Sequence, residues 1–254
     1  MRPNQTYARA IFNNWGRFAA WLPDRELKLG DIGYEAQGGF DRVGNVADFG
    51  ISVGPVWHDT SGSTRLTLSH RSITKARAAA DAATAGTVGS GKLVLGFGVG
   101  GGFELDASGC QTRTVEDHLA LGRRLIALAE AGTFDRSLLV VTELVAAQSL
   151  LVLISGAEGG EVELQLRASA DALLPGLDEH GLASLSGHAE IGRQAGMQVA
   201  IIRQGTSTPL FSARRIRRRL IGRAVFRMDV GGGGADNAAP EEQDELALAL
   251  PHLE

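Results

Sequence analysis

The chain has 254 residues, a formal net charge of −4, 44% apolar residues and a single cysteine. This length suits one large domain or two small ones, and the apolar share is ordinary for a globular protein. A single cysteine excludes a disulfide framework within the chain, and a negative net charge gives no overall attraction to nucleic acid.

The first predicted element is a helix over residues 5–21. Ile11, Trp15 and Phe18 recur at helical spacing and would form one apolar stripe. Pro23 marks its end. The start of the chain lacks the charged-then-apolar pattern of a secretory signal, so we expect a cytoplasmic location.

Residues 27–70 have the pattern of β-structure. The segment LKLGDIGYEAQGGFDRV predicts two strands joined at its QGG turn. ISVGPVW predicts another strand, and Pro55 indicates that this strand lies at a sheet edge. TRLTLSH alternates, with Leu66 and Leu68 on one face.

Two segments rich in small residues follow. Residues 73–85 contain many alanines, which favours a thin surface helix or a mobile segment. Residues 92–106, KLVLGFGVGGGFELD, predict one strand with large apolar residues on one face and a nearly bare glycine face. Such a face allows another element to approach closely, and its glycines also weaken the folded conformation.

The clearest helix prediction covers residues 112–131. Thr112 or Thr114 would cap this helix, and Glu116 and Asp117 would lie in its first turn, where they suit the helix dipole. Gly132 would stop it.

Residues 137–155, SLLVVTELVAAQSLLVLIS, form the longest apolar run. Its β-branched residues predict a long strand or two short ones, apolar on both faces and therefore central in a sheet. A buried helix and a membrane helix are the alternatives, and Glu143 argues against the latter because a charge near the middle of a spanning helix costs about 2.5–3.5 kcal/mol.

The remaining elements are strands with one short helix. EVELQLRA at 161–168 alternates and predicts a strand with one solvent-exposed face. Residues 169–183 suggest a short helix with turns, and residues 183–193 and 197–203 suggest two further strands. Together these elements predict an α+β fold: a mixed, mainly antiparallel sheet, the 112–131 helix packed on it, and an N-terminal helix.

No motif defines a catalytic or cofactor site. Residues 86–92 have the spacing of a phosphate loop, but Leu93 replaces the hydroxyl residue and a strand follows where a helix is needed. The glycines of 96–102 also lie in a strand pattern. The histidines lack metal-ligand spacing, and Cys110 stands alone. We therefore expect no enzymatic activity, no cofactor and no metal.

The C-terminal region separates charge into two blocks. Residues 212–230 suit either a helix or a strand and contain one aspartate against seven arginines: Arg214, Arg215, Arg217, Arg218, Arg219, Arg223 and Arg227. Four glycines follow as a flexible hinge: Gly231, Gly232, Gly233 and Gly234. The tail beyond them has no lysine or arginine and carries acidic residues that include Asp236, Glu241, Glu242, Asp244 and Glu245. We expect one domain over residues 1–230 and a hinge with an acidic tail over 231–254.

Two interpretations of this charge pattern are open. The arginines are either a solvated face beside a disordered tail, or a patch that the tail covers in competition with an anionic partner. Each Lys or Arg near an anionic membrane contributes about 1 kcal/mol of attraction. Nucleic acid is disfavoured as a partner because only Phe226 is available nearby for base stacking.

One stretch resembles a known family. RTVEDHLALGRRLIALAEAG followed by SLLVVTELVAAQSLLVLIS is similar to the gasdermin pore-forming domain, in which a helix precedes a strand of the kind VVTExL. Arg113, Val115, Glu116 and Leu119 match the helix, residues 140–144 match the strand, and the resemblance covers about residues 113–166. It implies amphipathic β-hairpins that enter a bilayer, with parts at 92–106 and 161–168, and a C-terminal restraint released by proteolysis near 231–235.

These observations lead to two functional hypotheses. The first is a membrane-active, homo-oligomerising pore former of the gasdermin type, restrained by its acidic tail until a protease acts, and membrane-associated when activated. The second is a soluble binding or assembly protein whose arginine patch engages an acidic protein partner, without catalytic activity.

Overall fold

The structure is a computed structural model that describes residues 3–20, 26–36, 39–59, 64–70, 75–80, 90–167, 189–217 and 224–228. Within these ranges the fold is α+β, and every strand pair is antiparallel. The helices are α1 (Pro3–Trp15), the 3-10 helix η1 (Val46–Phe49) and α2 (His118–Glu130).

Two antiparallel sheets make up the described β-structure. The large sheet contains β1 (Phe18–Ala19), β2 (Asp31–Ala36), β3 (Gly39–Asn45), β4 (Val56–His58), β5 (Thr64–His70), β8 (Phe103–Val115), β9 (Leu139–Ser155), β12 (Met197–Arg217) and β13 (Val225–Met228). The small sheet contains β6 (Lys75–Ala80), β7 (Ser90–Phe97), β10 (Gly160–Arg167) and β11 (Ala189–Ala195).

Strand β9 is the centre of the large sheet, as its apolar sequence predicts. It is one strand of 17 residues, and it pairs with β12 along one side and with β8 and β2 along the other. Both of its faces are covered. Val152 and Ile154 pack with Tyr7 and Ile11 of α1, while Leu153 and its neighbour at 151 pack against the small sheet.

The far end of β9 carries helix α2. Leu121 and Leu125 pack with Val140 and Ile216 in a second cluster of buried side chains. Asp117 caps α2 by accepting a hydrogen bond from the Ala120 backbone N–H at 2.7 Å. None of the described helices is long and apolar enough to cross a membrane.

The small sheet repeats the strand order of half of the large sheet. The large sheet runs β5–β8–β9–β12, and the small sheet runs β6–β7–β10–β11. Each small-sheet strand is the chain neighbour of the large-sheet strand at the same place in the order. The two sheets therefore amount to one four-stranded antiparallel sheet that is folded over on itself, with Leu93, Leu95, Val162 and Leu164 of the small sheet facing the large one.

Four sequence predictions agree with this fold. The hairpin around the QGG turn is β2 and β3, and the alternating segments at 64–70 and 161–168 are β5 and β10. The strand predicted at ISVGPVW is only partly present, because the edge strand β4 begins at Val56, after Pro55, and pairs with β8. The strand at 197–203 is the start of β12, which is much longer than predicted.

Both predicted helices have wrong boundaries. The first ends at Trp15, where Gly16 adopts a positive φ of 63°. Phe18, predicted on that helix, belongs to β1 and pairs with Phe211. The second begins at His118, because residues 112–115 are still paired with β9 and β4 as part of β8. The threonines predicted as caps therefore lie in a strand.

Two predictions about small residues are also wrong. The alanine-rich segment contains strand β6, because pairing with β7 outweighs the intrinsic helix preference of alanine. The glycine-rich segment 92–106 is two strands, β7 and β8, in different sheets. The chain turns between them at 98–102, where Gly100 and Gly101 have φ values of 100° and 73°. The predicted strand at 183–193 is β11 where the structure describes it, and the helix at 169–183 lies outside the described residues.

The line along which the sheet folds over consists largely of glycine. We call residues 98–102, 156–159 and Gly196 the fold line. A Cβ at Gly159 would lie 2.6 Å from the Phe97 carbonyl oxygen, and one at Gly196 would lie 2.6 Å from the Gly159 carbonyl oxygen. Both residues also have positive φ, 91° and 65°. The three turns thus pack so closely that backbone touches backbone.

We expect Gly196→Ala to destabilise the protein more than Gly205→Ala. Gly205 has a φ of 91° with nothing within 4 Å of its missing Cβ. Alanine there would lose only the free energy of adopting a left-handed backbone, about 1–2 kcal/mol. At Gly196 the contact with the Gly159 carbonyl is added. Urea unfolding of both variants measures the difference, and equal losses would show that the fold line is not closely packed.

Candidate functional site

The arginine-rich segment is β-structure where it is described. Ile216 of β12 pairs with Phe226 of β13, and both pack beside α2. Side chains alternate along a strand, so Arg214 lies on the same face as Ile216, and Arg215 and Arg217 lie on the opposite face. Of the two alternatives for this segment, the strand is the one observed.

The described arginines therefore divide into two groups. Arg215 lies directly across from Arg227, with Arg217 on the same face; Arg217 and Arg227 are exposed and Arg215 is half-buried. Like charges at opposed positions destabilise a strand pair unless other groups offset them. Other predicted positions lie outside the described residues, namely Arg218, Arg219, Arg223, the hinge Gly231 to Gly234, and the tail residues Asp236, Glu241, Glu242, Asp244 and Glu245.

Arg214 belongs to a separate polar cluster centred on Glu143 of β9. Arg17, just after α1, contacts one Glu143 carboxylate oxygen through its Nε at 2.6 Å. Thr114 and Ser212, on the strands to either side, each donate a hydroxyl hydrogen bond to the same carboxylate at 3.3 Å. The cluster ties the end of α1 to the three central strands.

The Glu143 cluster also influences His118 at the start of α2. Burial and the nearby Arg214 guanidinium lower the pKa of His118, and Glu143 and Asp117 oppose that shift. The ring is therefore neutral at pH 7. Burial likewise lowers the pKa of Arg214, against the effect of Glu143. The arrangement combines one ion pair, Arg17 to Glu143, with two hydroxyl hydrogen bonds, and His118 and Arg214 interact with it electrostatically.

The fold line is held by hydrogen bonds between its turns. Gly100 N–H donates to the Ala157 carbonyl at 2.7 Å, and Gly156 N–H donates to the Gly196 carbonyl at 2.8 Å. Ser155, at the end of β9, is fully buried and bonds to Gly102 through both its backbone and its hydroxyl group. These bonds fix the angle at which the small sheet turns back over the large one.

The space beneath the small sheet contains two carboxylates. Glu104 and Asp106 of β8 pair across strands with Leu153 and its neighbour at 151, and so share the face that the small sheet covers. They are 6% and 1% exposed. Arg65 of β5 binds Asp106 through two nitrogens, at 2.7 and 3.1 Å. Burial raises the pKa of Glu104. A hydrogen bond from the Ser69 side chain and the Arg65 charge oppose that shift, but burial has the larger effect, so Glu104 is costly to keep charged here.

The cysteine and the histidines belong to no metal-binding cluster in the described part of the chain. Burial raises the pKa of Cys110 to about 11, so its sulfur is a thiol at neutral pH and a weak nucleophile. No three His, Cys, Asp or Glu residues within the described ranges lie close enough together to hold a metal ion.

The sequence interpretation missed the fold line and the interior carboxylates. A signal for the fold line was present, because glycines interrupt alternating apolar segments at 98–102, 159–160 and 196. No comparable signal existed for Glu104 and Asp106. Their spacing in a strand also fits a solvent-exposed face, and only the position of the second sheet shows that they are buried.

No protein-family model matches this chain, and no curated protein matches it. The segment that resembles gasdermins spans the end of β8, α2, β9 and most of β10. Residues 140–144 lie in β9, as the resemblance implies, whereas Arg113 and Val115, matched to its helix, lie in β8.

We expect Glu104→Gln to stabilise the protein at neutral pH. Because the folded-state pKa of Glu104 is raised, its favourable contribution is present at acid pH and is lost as pH rises through that folded-state value. Removal of the charge should raise the free energy of unfolding at pH 7 by on the order of 1 kcal/mol and leave it nearly unchanged near pH 4.

Urea unfolding at several pH values provides the measurement. Glu161→Gln, which removes an exposed carboxylate from β10, is the matched control and should change little. A loss of stability in Glu104→Gln at pH 7 would contradict the assignment of Glu104 as a destabilising buried charge.

Proposed function

We propose that this protein is a membrane-active, oligomerising pore former of the gasdermin type, restrained by its acidic tail. In this proposal the small sheet swings away from the large sheet at the fold line. Each small-sheet strand then extends its large-sheet neighbour, and two long β-hairpins enter the bilayer. The supporting observation is the matched strand order of the two sheets, which allows straightening without any change of strand partners.

The side-chain pattern of the small sheet supports this proposal. Leu93, Leu95, Val162 and Leu164 lie on its covered face. The opposite face carries Lys92 and Glu163, whose charged groups are 3.5 Å apart, and the exposed Glu161 and Gln165. Alternation of apolar and polar residues is the pattern of a transmembrane β-strand, with one face toward lipid and one toward a lumen.

Strand length is also compatible with a membrane. β7 and β10 each have eight residues, and the turns of the fold line add several more. A tilted transmembrane strand needs about 9–11 residues. In water the straightened state would expose the leucines of both sheets, at about 1.5–3 kcal/mol for each side chain. Lipid removes that penalty, which gives the membrane a direct role in the transition.

Oligomerisation would use the sheet edges. Within the described residues, β6 and β11 are the two edges of the small sheet, each with one strand partner. An isolated four-stranded sheet in a bilayer would leave backbone groups unpaired at both edges, and a closed ring of copies pairs them. A homo-oligomer therefore follows from the proposed insertion.

The charge blocks supply the proposed control. Exposed Arg217 and Arg227, with half-buried Arg215 on the same face, give a basic surface that suits anionic lipid. The acidic tail has the opposite charge and lies beyond a run of four glycines. We propose that the tail occupies the basic face and that a protease, cutting near the glycines, releases it. The proposal assigns no catalytic residue, metal or cofactor to this chain.

Removal of residues 235–254 should start leakage from anionic vesicles. Vesicles that contain phosphatidylserine and a trapped dye should leak about tenfold faster or more with the truncated chain than with the full chain, the ratio for about 1.4 kcal/mol of restraint. Vesicles of neutral phosphatidylcholine are the control and should leak little. An absence of leakage with both the truncated and the full chain would refute the proposal.

The second candidate is a soluble binding protein, favoured by the opposed pair Arg215 and Arg227. It predicts salt-sensitive capture of an acidic polypeptide, with no damage to vesicles. Polyglutamate is a suitable probe. Arg215→Glu with Arg227→Glu should abolish capture, and Arg123→Glu on α2, which also reverses one exposed arginine, should not. Capture that persists in the double variant would exclude this face as the binding surface.

A further inference from the structure

Ser155 lies where the large sheet stops and the fold line begins. Phe103 pairs with Ile154, so Gly102 and Ser155 form the next rung of the ladder between β8 and β9. Half of that rung is ordinary: Ser155 N–H donates to the Gly102 carbonyl at 2.9 Å. The reciprocal bond is different, because Gly102 N–H donates to the Ser155 hydroxyl oxygen at 2.8 Å.

The hydroxyl therefore takes the place of a ladder carbonyl. In a continuous antiparallel pair, Gly102 N–H would donate to the backbone carbonyl of Ser155. At the fold line the chain turns away, and the side chain satisfies the donor. The hydroxyl also donates to the Gly102 carbonyl at 3.3 Å. Ser155 is fully buried, so water cannot supply a substitute.

Three further hydrogen bonds of the fold line join backbone groups. They are Gly100 to Ala157, Gly156 to Gly196, and Gly159 to Gly156. The bond from Gly102 N–H differs from these three because its acceptor is a side chain, the Ser155 hydroxyl. A side chain can be exchanged by mutation, whereas the backbone bonds cannot.

We propose that the Ser155 hydroxyl is a clasp that holds the sheet in its folded-over state and lets it straighten without loss of a hydrogen bond. When β9 and β10 straighten, Gly102 N–H returns to the Ser155 carbonyl, and the ladder replaces the clasp. Removal of the hydroxyl leaves a buried donor unpaired in the folded-over state alone. Such a variant shifts the equilibrium toward opening. The biological role of the clasp rests on the proposed function, whereas the experiment that tests the clasp needs no membrane and does not depend on that function.

Amide hydrogen exchange on the full-length chain labelled with ¹⁵N-glycine tests the clasp without a membrane. In Ser155→Ala, the amides of Gly100, Gly156 and Gly159 should exchange about tenfold faster, although none of them bonds to the lost hydroxyl. Gly33 in β2 and Gly96 in β7 are internal references and should keep their rates. Ser155→Thr retains the hydroxyl and should restore slow exchange.

Ser207→Ala is the matched control. Ser207 is also fully buried on β12, and its hydroxyl has no hydrogen bond within the described residues. This variant should leave all glycine rates unchanged. Ser155→Cys, which keeps the size of the side chain with a weaker hydrogen bond, serves if the alanine variant does not fold.

Two results would overturn the clasp. If Gly102 alone exchanges faster, the bond is local and does not hold the turns together. If Gly33 and Gly96 accelerate equally, Ser155 contributes only to global stability. A selective change at the fold line in a protein that never permeabilises vesicles would preserve the clasp and remove the pore-forming function, so the two failures are distinguishable.

Discussion

Strand β9 is apolar on both faces, and the rest of the fold follows from the need to cover them. Helix α1 covers Val152 and Ile154, and α2 covers the far end near Val140. The small sheet covers the opposite face at Leu153. Each buried leucine contributes about 1.5–3 kcal/mol, so the folded-over state dominates in water. In the proposed transition, the same hydrophobic free energy requires that another apolar medium take the place of the small sheet.

Charge works against this burial at two points. Glu104 and Asp106 lie beneath the small sheet, where Arg65 binds Asp106 and burial raises the pKa of Glu104. At the other end of β9, Glu143 forms an ion pair with Arg17 and accepts hydrogen bonds from two hydroxyl groups. The second cluster secures α1 to the central strands of the large sheet. In the proposed transition, the first cluster belongs to the interface that opens and the second to the part that keeps its contacts.

The sequence predicted the elements whose local pattern and tertiary environment agree. The run at 137–155 and the alternating segments of β5 and β10 were identified correctly, and so was the α+β class, because their periodicity reflects the faces they bury. Predictions failed where pairing with a distant strand decides. Residues 75–80 form a strand because they pair with β7. Residues 112–115 are extended because they pair with β9 and β4. The position of Arg214 near Glu143 depends on the register of β12 against β9. The run of arginines in the sequence does not specify that register.

The central claim is that the small sheet is a folded-over extension of the large sheet that straightens on a membrane. A distance between spin labels at exposed Gln165 of β10 and exposed Ala127 of α2, in a Cys110→Ser background, tests it most directly. Between solution and anionic vesicles, in the chain without its acidic tail, we predict an increase of roughly 30 Å, about twice the distance from Gly160 to Gln165 at 3.3 Å per residue. An unchanged distance on vesicles that leak would contradict the claim.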